Sequence, residues 1–459
     1  MDLIIKALEL IKDIERLGDY EAYIVGGAVR DVYLNRPVKD ADIVTNCPME
    51  VLSKNFYAFE IGRSKNFGIV GIQYNGVTFD VAQYRSDGPY EDGRRPSYVE
   101  AVASVENDLT RRDFTVNALA MNRYGQVVDL VGGINDLENK LIRAVGDPME
   151  RFQEDYLRLM RAARFASIEG FKIEKITRRS IRRLAPLIRK VTPERIRLEL
   201  SHAASRDGAE FARFILCLDD LKLLSKILPE VHALKYLRHD LDHHPEGPTV
   251  FDHVVKCVSI MSTRNWLSKI AALLHDVGKG VSFQPKPESA AMSYHRHDVA
   301  GAPVASEILT RLKFSKRHSD AILYAVENHM KFHKILEMKP AKVARIVSHE
   351  NFQILADVAW ADEFSRGETF AYYDTFDKRL CKAMEIKYKW ETKSNVVSDT
   401  LISGDEIMDT LDIKEGPLVG QIKRIAEDKV MNDDLDPNDP LVRHRVIVEA
   451  LEDIEHERK

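Results

Sequence analysis

The sequence predicts an α+β chain: an N-terminal head with a small mixed β-sheet and helices, followed by all-α segments to the end. Three observations predict it. Short β-rich runs fall in the first 145 residues (Tyr23–Val25, Asp40–Val44, Phe67–Tyr74, Val77–Tyr84), the last two joined at Asn75-Gly76, a strong hairpin signal. From Pro148 onward, apolar residues recur at helical spacing. A chain of 459 residues exceeds one typical core, so several domains are expected. The divisions fall at 1–145 (head), 146–240 (helical neck), 241–380 (a histidine-rich segment) and 381–459 (helical tail).

Lys plus Arg number 67 against 72 Asp plus Glu, a net charge of −5, so a nucleic-acid partner must be met by local basic patches. Cys47, Cys217, Cys257 and Cys381 are scattered without metal-ligand spacing and read as reduced thiols of a cytosolic protein. The opening MDLIIKALELIKDIERLGDY is an amphipathic helix, and no apolar run approaches the roughly 20 residues of a membrane span. A soluble, cytoplasmic protein with no membrane partner is expected; oligomeric state is not legible.

The head is organised by YIVGGAVRDVYLNRPVKDADIVT, Tyr23 to Thr45. The strand-like run stops at Gly26-Gly27, where the missing Cβ lets backbone amides approach a phosphate. Asp40 and Asp42 lie two apart in a strand-like run and so project to one face, a costly pair without a cation. Carboxylates beside nucleotide phosphates are the usual Mg²⁺ arrangement, and the reaction class is phosphoryl transfer.

In order and spacing, GGxxRD followed by DxD resembles the nucleotidyltransferase head of class II CCA-adding tRNA nucleotidyltransferases and the related bacterial poly(A) polymerases. The resemblance implies that Asp40 and Asp42 bind Mg²⁺ and activate the tRNA 3′ hydroxyl, and that Gly26, Gly27 and Arg30 hold a triphosphate. Asp80, in VTFDVAQYR, is either a strand-end polar residue or a third carboxylate of this site. Arg85 to Pro96 reads as a charged, mobile loop. RRDFTVNALA reads as a helix from Phe114 to Met121 with Asp113 as its cap; it looks like the family's second motif, which makes Arg112 a nucleotide ligand. Gly132-Gly133 reads as a plain turn.

In the neck, GDPMERFQEDYLRLMRAARFASIEGF reads as one amphipathic helix whose Asp155, Arg158, Arg161 and Arg164 recur every three residues. Three arginines on one ridge repel unless an anion lies against them. A carboxylate accepts from an exocyclic amino group and a guanidinium donates to ring acceptors, a pairing suited to cytosine and adenine. EDYLR resembles the family's EDxxR, which implies that Asp155 and Arg158, together with Arg161, select CTP and then ATP without a nucleic-acid template, while Arg161 and Arg164 extend the ridge and hold phosphates. Arg178, Arg179, Arg182 and Arg183 form the densest basic patch, placed to meet the RNA backbone at the tRNA 3′ end.

In the third segment, His275-Asp276 ends an apolar helix stopped by Gly278 and Gly280. Imidazoles and a carboxylate suit a divalent transition metal. With His253 upstream and Asp362 downstream, the spacing resembles the HD phosphohydrolase superfamily, which implies His253, His275, Asp276 and Asp362 as metal ligands (Ni²⁺, Mn²⁺ or Mg²⁺). Lys279, His297 and His329 match auxiliary positions for phosphate or a second metal. The resemblance implies the bifunctional type, with phosphatase, 2′,3′-cyclic phosphodiesterase or 2′-nucleotidase activity. Gln284 to Glu288 reads as a loop, and the tail as helices without chemistry.

Overall fold

The computed structural model describes residues 2–59, 68–87, 99–101, 104–239, 244–285, 292–367, 370–395, 402–433 and 435–457. Most of the loop Arg85 to Pro96, and most of Gln284 to Glu288, lie outside them. The chain forms two compact units, Met1–His232 with Arg311–Lys313, and Ala233–Thr310 with Phe314–Lys459.

Unit 1 opens with α1 (Asp2–Glu15), which buries Ala7, Leu10, Ile11 and Ile14 at helical spacing. The chain continues through β1 (Ala22–Val25), α2 (Gly27–Tyr33), β2 (Asp42–Thr45), α3 (Met49–Asn55), β3 (Tyr57–Phe59), β4 (Ile69–Tyr74) and β5 (Val77–Gln83). A short ribbon, β6 (Arg85–Asp87) with β7 (Val99–Ala101), precedes α4 (Val105–Thr110), β8 (Leu119–Met121), β9 (Val127–Asp129) and α5 (Gly133–Glu138). Among the described residues the main sheet runs β3-β4-β5-β2-β1-β8-β9, with β2 and β5 parallel and the other neighbours antiparallel. This is the expected mixed sheet. Asn75 and Gly76 both adopt positive φ, and the pair makes the tight turn that sets the β4–β5 register.

Two local readings change. Phe114 to Met121 is not a helix: a single turn over Thr115–Asn117 leads into β8, which slots between β1 and β9 because Leu119, Ala120 and Met121 are all buried. Gly132-Gly133 is more than a turn. Gly132, at φ 76, starts α5, and a Cβ on Gly133 would stand 2.2 Å from the Thr115 carbonyl oxygen.

The neck elements are β10 (Leu141–Ile142), α6 (Pro148–Glu154), α7 (Arg158–Ala166), β11 (Lys172–Ile173), α8 (Lys175–Leu184), α9 (Pro193–Ala204), α10 (Gly208–Asp220), α11 (Leu224–Ile227) and α12 (Pro229–Ala233). The single helix expected through Asp155 is two. Asp155 is extended (φ −151, ψ 107), and its carboxylate accepts from the Leu157 amide at 3.0 Å, a local bond that competes with the helix.

Unit 2 contains α13 (Val250–Ile260), α14 (Trp266–Leu274), the hairpin β12 (Phe283–Pro285) and β13 (Met292–Tyr294), α15 (His297–Arg311), α16 (Lys316–His333), α17 (Pro340–Val347) and α18 (Phe352–Ser365). Then come α19 (Phe370–Asn395), α20 (Gly404–Leu411), α21 (Pro417–Asn432) and α22 (Pro440–Glu457). Helices α13, α14, α16 and α18 pack against one another. A Thr249/Asp252 capping box starts α13, and Asn265 caps α14. The last three helices enclose their own apolar core, including Ile407, Ile422, Val446 and Ile447.

Candidate functional site

In the head, register brings the expected carboxylates together. Asp42 pairs with Val25 at the end of β1, and Ile43 pairs with Val81, so Asp42 and Asp80 stand side by side on neighbouring strands. Phe79 and Val81 are buried and Asp80 between them is exposed, which settles the side that the sequence left open. Asp40 lies just before β2, also exposed. Restricted access to water raises the Asp42 carboxyl above its ordinary range; Asp40 adds to this, Arg112 opposes it and Asp80 adds again. Asp80 is likewise raised, by desolvation and then by Asp40. Mutual repulsion of this kind is what a divalent cation relieves, and the all-oxygen donor set fits Mg²⁺.

Gly26, at φ 72, turns the chain from β1 into α2, and a Cβ there would come within 2.7 Å of Arg112 Nη1. Arg112 donates to the buried Asp108 through Nε and Nη2, at 3.2 and 2.8 Å. Arg30 is buried and already engaged: Nη1 donates to Asn117 Oδ1 at 2.6 Å and Nε to Asp31 Oδ1 at 2.9 Å.

The neck ridge has its own counter-charges. Asp155 receives Arg195 in a two-pronged pair, at 3.0 and 2.7 Å. Arg158 pairs with Glu154 and donates to the Arg151 carbonyl at 2.7 Å. Arg161 binds Asp113 at 2.7 Å, and Arg164 binds Glu199 at 2.6 Å. Burial alone would raise Asp113, yet Arg161 overrides it and holds the carboxyl down at about 2. The repulsion expected among these arginines is thus met by the chain itself. On α8, Arg178, Arg179, Arg182 and Arg183 are all exposed. Arg178 and Arg182 share Asp220, whereas Arg179 and Arg183 have no ion-pair partner among the described residues.

In unit 2 the histidines converge. His275 Nδ1 donates to the Ala272 carbonyl (2.7 Å), His329 Nδ1 to Val326 (2.7 Å) and His297 Nδ1 to Tyr294 (2.9 Å), while His253 Nδ1 donates to Glu246 Oε1 (2.7 Å). Carbonyl and carboxylate oxygens only accept, so each Nδ1 carries a hydrogen; in His275 and His329, which are neutral, Nε2 is left facing the centre as a lone pair. His253 Nε2 is 3.2 Å from Asp362 Oδ1 and 3.7 Å from Asp276 Oδ2, and His275 Nε2 is 3.4 Å from Asp276 Oδ2. Asp276 Oδ1 lies 3.2 Å from His297 Nε2, so its two oxygens face two neighbouring clusters. Burial holds His275 and His329 below their ordinary range, hence neutral. Burial would also lower His253, but Cys257, Asp362 and Glu246 raise it well above that range.

The donor set fits a bound cation. His275 Nε2 is buried without a hydrogen-bond partner, and His297 and His329 bring two Nε2 atoms to 3.2 Å with both Nδ1 hydrogens spent elsewhere. Lone pairs so placed repel unless a cation or a proton lies between them. The ligand-type groups whose donor atoms approach within 4.8 Å of one another are, among the described residues, His253–Cys257–His275–Asp362, Asp276–His297–His329 and His239–His244–Glu246.

Three family models match in chain order. Residues 22–143 match the poly A polymerase head domain, 170–235 the probable RNA and SrmB-binding site of polymerase A, and 250–366 the HD domain. The CCA-adding enzyme of Bacillus stearothermophilus in complex with CTP superposes over 98% of both chains, with a TM-score of 0.70 at 24% identity. The fold is that of the CCA-adding enzymes. The Thermotoga maritima CCA-adding enzyme complexed with tRNA shares it more loosely, with a TM-score of 0.57 at 17% identity over 97% of this chain and 95% of that one. Among curated relatives, the CCA-adding enzyme of Lactobacillus helveticus is 46% identical over 43% of this chain and 49% of its own length. That of Geobacillus thermodenitrificans is 45% identical over 42% and 48%. The chain thus aligns with about half the length of the curated relatives it matches.

Within this CCA-adding fold, several contacts were not expected from sequence. Arg195 lies in TPERIRLEL, 40 residues from its partner Asp155. His333 donates to Asp362 Oδ2 at 2.8 Å and Arg366 to Oδ1 at 2.9 Å. Glu246 orients His253 from the stretch DHHPEGPT, whose residues 242–243 lie outside those described. Lys279 Nζ lies 2.6 Å from Asp276 Oδ2 and 3.2 Å from His239 Nε2. No helix among the described residues is long and apolar enough to cross a membrane.

Proposed function

We propose that this chain is a CCA-adding tRNA nucleotidyltransferase, which adds C, C and A to the tRNA 3′ end from CTP and ATP without a nucleic-acid template, in the cytoplasm. The observation that carries the reading is the pairing of Asp42 with Asp80 beside the Gly26 turn and Arg112. A divalent cation, Mg²⁺ by its oxygen donors, supplies charge neutralisation for the incoming triphosphate. Asp40 and Asp42 hold it, with Asp80 alongside, and Asp40 or Asp42 orients the 3′ hydroxyl for attack; pyrophosphate leaves. Gly26 and Gly27 give the phosphates room, Arg112 faces them, and Arg30 fixes the wall of the cradle through Asn117. Asp155 and Arg158 read the base. For this Asp155 exchanges one partner, Arg195, for the amino group of cytosine or adenine, and Arg161 and Arg164 hold the ridge in place. Arg178, Arg179, Arg182 and Arg183 meet RNA phosphates.

The HD segment is a second, hydrolytic centre, with His253, His275, Asp276 and Asp362 as ligands of a divalent metal and Lys279, His297 and His329 beside the substrate phosphate or a second ion. Bound metal supplies a water activated at neutral pH. Phosphate monoesters and 2′,3′-cyclic nucleotides are its substrate class. The working division is 1–145 head, 146–240 neck, 241–380 HD segment and 381–459 tail.

Incubation of the purified protein with tRNA lacking CCA and with each triphosphate, followed by sequencing of the 3′ ends, tests the reading. Sequential C, C and A is expected; addition of A alone overturns it in favour of a poly(A) polymerase or an A-adding enzyme, and C without A in favour of a CC-adding one. Asp42→Ala is expected to abolish addition while leaving the hydrolysis of a 2′,3′-cyclic nucleotide to a nucleoside monophosphate, and His275→Ala to do the reverse.

A further inference from the structure

Cys257 follows His253 by one turn of α13, and its Sγ lies 3.5 Å from His253 Nε2, the nitrogen that faces the centre. It is fully buried and not in a disulfide. A buried cysteine is ordinarily a small apolar filler. Two observations set this one apart. Its Sγ joins donor atoms of His253, His275 and Asp362 in a group whose members all approach within 4.8 Å of one another. Into the same group points His275 Nε2, buried and without a hydrogen-bond partner.

The spacing also matches one coordination sphere. With Zn–S about 2.3 Å and Zn–N about 2.0–2.1 Å, tetrahedral ligands stand roughly 3.6 Å apart for sulfur and nitrogen, and roughly 3.3 Å for nitrogen and oxygen. The observed separations are 3.5 Å from Cys257 Sγ to His253 Nε2 and 3.2 Å from there to Asp362 Oδ1. Glu246 orients His253 from behind, and His333 and Arg366 do the same for Asp362, the supporting contacts that ligands commonly have.

We propose that Cys257 is a thiolate ligand of the metal in the HD centre, giving a His253–Cys257–His275–Asp362 set that favours a borderline-soft transition metal such as Zn²⁺ or Co²⁺ over Mg²⁺. The thiol proton passes to solvent as the metal binds. Asp276 then turns one oxygen to this ion and the other to the His297–His329 pair. The proposal rests on the HD reading above; the four cysteines lie far from one another, and the fold brings Cys257, one turn from His253, to His275 and Asp362.

The test uses the full-length protein, stripped with a chelator and reloaded with Co²⁺. The wild type is expected to show a near-ultraviolet thiolate-to-cobalt charge-transfer band. C257S is expected to lose that band and to bind Co²⁺ at least roughly tenfold more weakly, since even supporting contacts contribute that much. A band that persists in C257S, or is absent from a wild type whose bound cobalt disappears in H275A, overturns the thiolate ligand and leaves the HD metal site standing. Equal cobalt content in wild type and H275A overturns the HD metal site itself, and this proposal with it. X-ray absorption of the zinc-loaded wild type reads the same point without a variant: a sulfur shell at about 2.3 Å is expected, and nitrogen and oxygen alone overturn the proposal.

Discussion

Gly278 shows how much one missing side chain can control. A Cβ there would stand 2.0 Å from the His297 carbonyl oxygen and 2.5 Å from the Gly301 amide nitrogen, so α15 approaches the His275-Asp276 turn backbone to backbone. Gly278→Ala forces those segments apart, at a cost of about 1–3 kcal/mol or more, and displaces His297. Urea unfolding is expected to register the loss, with phosphate release abolished and nucleotide addition retained. Asp113 makes a second residue-scale prediction. Its carboxyl titrates at about 2 in the folded chain against an ordinary 3.8, so its pair with Arg161 stabilises above the higher value and is lost as pH falls through the lower. The unfolding free energy of wild type is expected to exceed that of Asp113→Asn by about 2 kcal/mol at pH 5 to 7, and the gap to narrow as pH falls below about 4. A gap independent of pH would remove the ion pair from the explanation.

At the scale of elements, α8 separates two kinds of arginine. Arg178 and Arg182 share Asp220, while Arg179 and Arg183 face solvent without an ion-pair partner among the described residues. Arg179→Ala with Arg183→Ala is expected to weaken tRNA binding and to lower the slope of log affinity against log salt by about 1 to 2; the Arg178/Arg182 pair changes it less, because Asp220 already offsets part of that charge. Filter binding across a salt series measures both. The helices and the β4–β5 hairpin were legible because their signals are local: apolar spacing and Asn75-Gly76. The Phe114–Met121 segment misled because three apolar residues in a row suit a buried strand as well as a helix, and only the gap between β1 and β9 decides. The neck arginines misled differently. Their repulsion was a sound inference, but the counter-charges Asp113 and Glu199 lie 48 and 35 residues away, beyond what spacing reveals.

For the whole molecule, each of the two compact units carries one of the proposed centres, so perturbing one is expected to spare the other. Metal binding adds RT ln(1 + [metal]/Kd) to the unit that holds it, about 2.7 kcal/mol at 100 times Kd. Chelation is therefore expected to lower the unfolding transition of the unit containing His253, His275, Asp276 and Asp362, and to leave a His275→Ala protein unmoved; calorimetry with and without chelator decides. The family motifs in the head and HD segment were legible from their order alone, and packing parts the chain between His232 and Ala233, a little before the change of composition expected at 240. The alternation along β5 carries one more implication. Phe79 and Val81 point into the core, and that alone turns Asp80 toward Asp42. Selection for a tightly packed head and selection for a working site therefore act on the same few strand positions, so neutral drift there is confined to swaps among apolar residues, and anyone transplanting the carboxylates to another scaffold must carry over the alternation along with the acids.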